Sequence, residues 1–258
     1  MSKPTATLTV LRSEQLSPHM VRVHFGDPGF DSFTPNAFTD AYVKLELPDQ
    51  GQTYLRTYTI RSVDPDAREI AIDFVVHGDQ GVAGPWAARA RAGDTVTLRG
   101  PGGAYAPDIA ADWHLLAGDE TAIPAISAAA EALPAEAVGY VVLEVAGPDD
   151  EIAVSTPAGV RVIWVHRGDS SDRVGDDRAG DNAPLVEAVK ALEWLPGEPH
   201  VFIHGEAQAV MHNLRPYIRR EKQVPAQRAS ISGYWRRGRT EEGFRVWKSE
   251  LAAAESTA

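Results

Sequence analysis

Arg56-Thr57-Tyr58-Thr59-Ile60-Arg61 opens the stretch on which the reading of this chain turns. Asp73-Phe74-Val75-Val76-His77-Gly78 continues it, and the turn Gly81-Val82-Ala83-Gly84-Pro85-Trp86 closes it. In the hexapeptide a cation, an aromatic ring and hydroxyls alternate on a run with strand character. Side chains two apart on a strand share a face. Arg56 and Tyr58 therefore point one way, with Thr59 turned to the other or displaced at a bend. A planar ligand with a phosphate tail asks for such a set: a ring to lie against, a cation for the phosphate, a hydroxyl near a polar edge. Glycines ahead of a helix start at Pro85 leave backbone N–H groups to face an anion, and with Arg56 they make a diphosphate cradle. An edge strand with a surface Arg, followed by a Gly-rich hairpin, accounts for the same residues. His77 taken alone is commonly a structural histidine.

On either side of this stretch, residues 5–12, 20–25, 41–47, 69–76 and 95–99 read as strands, as do residues 54–60 within it. Short strands with turns at regular spacing predict a small antiparallel barrel or sandwich. A short helix is expected over 85–92. Gly100-Pro101-Gly102-Gly103 breaks the pattern. Beyond it, apolar runs at 113–117, 138–145, 160–165 and 200–204 alternate with helical spacing at 121–133, 182 or 183–194, and 206–221. Strands alternating with helices predict a parallel α/β sheet. The expected organisation is a β domain at 1–106, an α/β domain at 107–238, and a peripheral, charged, Ala-rich helical tail at 239–258. The polar run 168–181 reads as a mobile loop.

Composition narrows the function classes. The 258 residues include no cysteine, which excludes disulfides, thiolate chemistry and Cys-ligated iron–sulfur clusters. A formal charge of −11 argues against a general nucleic-acid surface. No apolar run approaches the ~20 residues of a membrane span. Met1-Ser2-Lys3-Pro4-Thr5 lacks a signal-peptide apolar segment, so a cytoplasmic location is expected. No GxSxG or GxxxxGK[ST] occurs. His200 and His204 share a strand face without a suitably spaced carboxylate, so no metal site is expected.

Three further stretches carry candidate chemistry. In Leu115-Leu116-Ala117-Gly118-Asp119-Glu120-Thr121 a buried strand ends where a helix begins. Asp119 or Thr121 is placed to cap that helix, and Glu120 would overhang the crevice where α/β sheets bind ligands. No GxGxxG is present, and ordinary capping explains the same residues. In Trp164-Val165-His166-Arg167, Arg167 lies just past a strand end, where a cation suits a dinucleotide 2′-phosphate; a surface Arg beside an acidic loop is the alternative. In Ser232-Gly233-Tyr234-Trp235-Arg236-Arg237-Gly238-Arg239, two aromatics beside arginines could close over a flat ligand and attract an acidic substrate, or simply pack as a tail. Asp149-Asp150-Glu151 and Asp176-Asp177 read as solvated loops.

In this order these stretches resemble the siderophore-interacting proteins, flavin-dependent ferric-siderophore reductases of the ferredoxin–NADP⁺ reductase-like superfamily. The matching pieces are RTYTIR (56–61), DFVVHG (73–78), WAARARAGD (86–94), AGDETAIPAI (117–126), WVHRG (164–168), GEA (205–207) and SGYWRRG (232–238). The resemblance implies a six-stranded Greek-key antiparallel barrel that binds FAD, followed by an α/β domain that binds NADPH or NADH. By position, Arg56 would meet the pyrophosphate, Tyr58 the isoalloxazine and ribityl side, and Thr59 the flavin N5 edge. Arg61, His77, Gly78, Gly81, Val82, Ala83, Gly84 and Trp86 would complete the cradle. Gly118, Asp119, Glu120, Thr121, Arg167 and Glu206 would serve the nicotinamide nucleotide, with Arg167 leaning to NADPH. Tyr234 and Trp235 would lie near the flavin. Two departures stand out: Gly81-Val82-Ala83-Gly84 where the family commonly has Gly-Pro-Ala-Ser, and His204 where it more often has Ala.

The implied activity is reduction of chelated Fe(III) to Fe(II), releasing iron from an imported siderophore. A ferric chelate, bulky and often anionic, would dock at an open mouth lined by Lys44, Arg236, Arg237 or Arg239. A monomer is expected, with no nucleic-acid partner and peripheral association with an importer left open. Two other readings stand beside this one: a flavin or electron-transfer reductase serving a separate protein, and a siderophore-binding module without turnover.

Overall fold

The computed structural model describes residues 4–78 and 81–256. Asp79 and Gln80, within the expected cradle, and the chain ends at 1–3 and 257–258 lie outside the described residues. Six strands form the first half: β1 (Thr5–Ser17), β2 (Met20–Gly26), β3 (Tyr42–Asp49), β4 (Gln52–Asp64), β5 (Glu69–Val75) and β6 (Thr95–Gly102). They close into an antiparallel barrel in the order β1-β2-β5-β4-β3-β6. Closure follows from β6, which pairs with both β1 and β3 and so leaves no open edge. The apolar half of each alternation fills the interior. Leu8 and Val10, Val43, Leu45 and Leu47, and Val96 and Leu98 are all almost wholly buried there. Each such side chain contributes roughly 1.5–3 kcal/mol on burial. The expected helix before β6 is present, starting two residues early, as α1 (Ala83–Arg89). Trp86 on α1 lies parallel to Phe25 at 6.2 Å and tilted against Phe74 at 5.8 Å.

The second half holds β7 (Trp113–Asp119), α2 (Ile123–Glu131), β8 (Val138–Val145), β9 (Gly159–His166), α3 (Pro184–Lys190), β10 (Pro199–Glu206) and β11 (Ala229–Trp235). The five strands form one parallel sheet in the order β11-β10-β7-β8-β9. Sequence order reverses direction between β7 and β10, which makes their C-terminal ends the switch point where such sheets bind ligands. Strand β11 was not foreseen as a strand, because its Ser, Gly and Tyr mask the apolar alternation. The helix expected over 206–221 is wound in wide π-type turns, Gln208–Leu214 and Tyr217–Glu221. Helix α3 ends at Lys190, short of the expected Trp194.

The halves share a core. Helix α2 is apolar nearly all round, and seven of its nine residues are buried, so it suits a place between two layers. It packs with Met20, Tyr105, Phe202 and Leu143, with Leu16 and Val75 of the barrel against the same cluster. Nor is the C-terminal helix α4 (Glu241–Ser256) peripheral, as expected from its charge: Phe244 is buried in the core of the α/β half.

Candidate functional site

Strand β4 sorts its residues by parity, as a strand must. Tyr58 lies 4.5 Å from Phe74, and the Arg56 guanidinium sits over the Tyr54 ring at 5.2 Å. Thr57 and Thr59 meet the α/β half, which the Arg56 guanidinium also reaches through Glu242. Thr57 Oγ1 donates to Glu241 Oε1 at 3.1 Å. The buried Thr59 sets its hydroxyl beside the phenol of Tyr234 of β11. Arg61 is bidentate to Glu131 at the end of α2. Its side chain thus spans the seam between the halves, at the point where the β4–β5 register shifts between Ile60 and Ser62.

Around β4 the turn has the shape of a cradle. Gly78 and Gly81 have positive φ, 61° and 75°, with open space where a Cβ would stand. Val82 begins α1 with no side-chain cap. A cleft of about 150 Å³ beside it is lined by Pro48, Asp49, Gly81, Val82, Trp86 and Arg89, among others. His77 Nδ1 is buried without a hydrogen-bond partner. Ala83 is buried in the barrel core, and Gly84 lies against the Val75 carbonyl. Trp86 reaches both core and cleft.

At the switch point four carboxylates, Asp119, Glu120, Glu144 and Glu206, are buried around one buried cation, Arg167. The Arg167 Nη1 donates to Glu120 Oε2 at 2.7 Å, its Nη2 to Glu120 Oε1 at 2.5 Å, and its Nε to the Asp169 carbonyl; Glu144 lies 3.6 Å away. Arg167 is only 4% exposed. In this structure its donors, expected at a 2′-phosphate, are committed to Glu120 and the Asp169 carbonyl. Asp119 is a hub. Its carboxylate accepts from Thr121 N and Oγ1, from Glu206 N at 2.7 Å, and from Trp235 Nε1 at 2.8 Å. Burial pushes the Asp119 carboxyl up to about 6, and Glu120 beside it adds to the shift. Burial likewise pushes Glu144 up to about 7, against the opposing Leu185 N–H bond. Glu206 accepts from Ala209 N and Arg237 N. Gly118 is required by close approach, since a Cβ there would meet the His204 carbonyl at 2.3 Å.

Asp119, Glu144, Arg167 and Glu206 line a crevice of about 20 Å³. Trp235 lines this crevice, whereas Tyr234 beside it reaches Thr59. Two expected docking cations are engaged as well. Arg236 donates to Gln208 Oε1 at 2.8 Å and lies over Trp247, and Arg237 donates to the Val174 carbonyl and faces Asp176. Lys44 is half-buried opposite Thr57 on the barrel ladder, and Arg239 is exposed.

Family models match both halves in order: a siderophore-interacting FAD-binding domain over residues 9–55 and 51–105, and a siderophore-interacting protein over 111–238. The chain belongs to the siderophore-interacting protein family. It is similar to an uncharacterised protein of Mycobacterium tuberculosis, 58% identical over 98% of each chain. The ferric vibriobactin reductase ViuB of Vibrio cholerae is 30% identical over 92% of this chain and 91% of its own. The crystal structure of the siderophore-interacting protein SipS from Aeromonas hydrophila superposes with a TM-score of 0.82 at 31% identity, covering 97% of this chain and 99% of that one.

The residues present fit a flavin dinucleotide. The orphaned His77 Nδ1, the open glycines and the cleft at α1 ask for a polar partner that the barrel does not itself supply. Among the described residues no cluster of His, Asp and Glu is arranged to hold a resident metal. Among the described residues no helix is long and apolar enough to cross a membrane. Sequence reasoning missed several residues of this siderophore-interacting protein. Glu144 had a signal, a single carboxylate in an otherwise apolar strand. Glu131, Glu241 and Glu242 had none, because each acquires its role only by reaching the other half. Asp150, read as solvated, is buried and accepts from Ser17 Oγ, His19 N and the His19 ring.

Proposed function

We propose that this protein is an FAD-dependent NAD(P)H:ferric-siderophore oxidoreductase. The observation that carries the reading is the seam where Thr57 Oγ1 of β4 donates to Glu241 and Thr59 lies beside Tyr234 of β11. It brings the barrel's Arg56–Thr59 set and the rim of the parallel sheet together, where a donor nucleotide and a flavin would have to meet. The ferric reductase among its relatives supports the same reading. Arg56 would hold the diphosphate, Tyr58 would give the ring an aromatic floor, and Thr59 with Tyr234 would fix the polar edge. A flavin held by these residues would supply the conversion from two-electron to one-electron transfer that a ferric centre requires.

With no cysteine in the chain there is no iron–sulfur relay, so the acceptor comes to the flavin edge itself. Lys44 and Arg239 are the docking cations this reading retains. Hard-oxygen ligands hold Fe(II) more weakly than Fe(III), so reduction releases the iron without an acid or base acting on it. On this reading the protein works in the cytoplasm as a monomer, drawing on NADH or NADPH.

The test is the visible spectrum of the purified protein, before and after anaerobic nucleotide, then after a ferric siderophore. Flavin bands that bleach with one nucleotide and return with the chelate are expected. Bands that return only with oxygen or a second protein would favour an electron-transfer role. No flavin bands after incubation with FAD would overturn the reading.

A further inference from the structure

The guanidinium assigned to the diphosphate is already occupied. Arg56 Nη1 donates to Glu242 Oε1 at 2.6 Å, and its Nε lies 3.7 Å from Glu241 Oε2. Both glutamates belong to the first turn of α4. The rest of α4 is anchored on the α/β half. Phe244 is buried, 3.1 Å from the Cβ position of Gly233. Trp247 packs on Phe244 at 5.7 Å and on His212 at 5.6 Å. Lys248 Nζ donates to Ser232 Oγ at 3.0 Å and to the Gly233 carbonyl at 3.2 Å. A helix fixed to β11 thus holds out two carboxylates across the seam to one barrel cation.

A guanidinium fork matches carboxylate and phosphate with the same donors. Arg56 can satisfy the acid pair or a diphosphate in full, not both. Negative charges brought within a few ångström of one another in a partly desolvated seam repel far more than in water. Burial pushes the Glu241 carboxyl up, so its charged form is held at a desolvation cost that release would recover.

We propose that Glu241 and Glu242 are a built-in competitor for the flavin diphosphate. Helix α4 closes on Arg56 when flavin is absent and lets go as the diphosphate binds. The proposal rests on the reading of Arg56 as a flavin-phosphate cation. It predicts that α4 sets flavin affinity from outside the barrel, and that loading loosens the first turn of the helix.

The experiment titrates flavin-free full-length protein with FAD and, separately, with riboflavin, following quenching of flavin fluorescence. The E241Q/E242Q variant is expected to bind FAD roughly tenfold tighter than the wild type and to bind riboflavin, which has no phosphate, equally well. In the wild type, where no substitution can disturb folding, amides of residues 241–251 should exchange hydrogen faster once FAD is added. Unchanged or weaker FAD binding by the variant, equal tightening for riboflavin, or protection of α4 by FAD would overturn the competitor. Failure of both proteins to bind FAD would overturn the flavin reading of Arg56 itself.

Discussion

Arg167 shows how an exposed-looking residue becomes internal. By position it lies just past a strand end, beside a polar loop. In the fold it is the single buried cation among Asp119, Glu120, Glu144 and Glu206. Removing one partner of a buried pair leaves an uncompensated charge, at a cost of roughly 3–5 kcal/mol. Arg167→Gln should therefore lower unfolding free energy by that order, measured by urea denaturation. The double variant Arg167→Gln/Glu120→Gln should recover a large part of the loss, because neither charge is then stranded. Equal losses in the single and double variants would show that Glu120 does not depend on Arg167.

At the scale of the element, β10 carries its polar residues on the face that meets α2 and the barrel. His204 stacks on Phe202 at 4.0 Å and tilts against Tyr234 at 4.7 Å. Its Nε2 bonds Ser230 Oγ, and its Nδ1 has no partner. Burial, with Lys248 nearby, pushes its pKa down to about 3. Histidine in the unfolded chain binds its proton near pH 6.5. Between about 6.5 and 3 the unfolded state thus holds more protons than the folded one, and stability falls as pH falls. His204 alone accounts for about 2 kcal/mol of that fall by pH 5. His114, pushed down to about 4 by burial, acts in the same direction. Asp119 and Glu144 act in the opposite one, because a carboxyl raised in the fold stabilises it on protonation. Comparing His204→Phe with wild type isolates the histidine. The loss of the Ser230 bond is a constant offset, so the variant's melting temperature should fall less steeply from pH 6.5 to 4.5. Parallel slopes would refute this account.

Across the whole molecule, two kinds of contact tie the halves together, and they differ in worth. Arg61–Glu131 is a surface pair with Glu131 41% exposed, and such pairs contribute about 0–1 kcal/mol. Asp150 is buried and accepts three groups from the β1–β2 turn. Cutting it strands donors that burial has taken from water. Asp150→Ala should cost on the order of 3 kcal/mol in unfolding free energy, and Glu131→Ala less than about 1 kcal/mol. If the two substitutions cost the same, the seam is held by its apolar contacts alone, through α2, Met20 and Tyr105.

By itself the amino-acid order determined what is local and periodic. The alternation in Val43, Leu45 and Leu47 makes a one-face-buried strand whatever lies beyond it, and the alternation of apolar runs with helical spacing after Gly103 makes a parallel sheet. The strand that carries Arg56, Tyr58 and Thr59 was legible because a period of two is carried by adjacent residues. Only tertiary structure decided which of two faces each polar residue spends itself on. Arg61 went to Glu131, Arg167 to Glu120, Trp235 to Asp119, and Arg56 to Glu241 and Glu242. The reason is physical. A charge leaving water must find its partner among groups that folding brings within about 3 Å, and residues 56 and 242 share no local pattern that could announce the meeting.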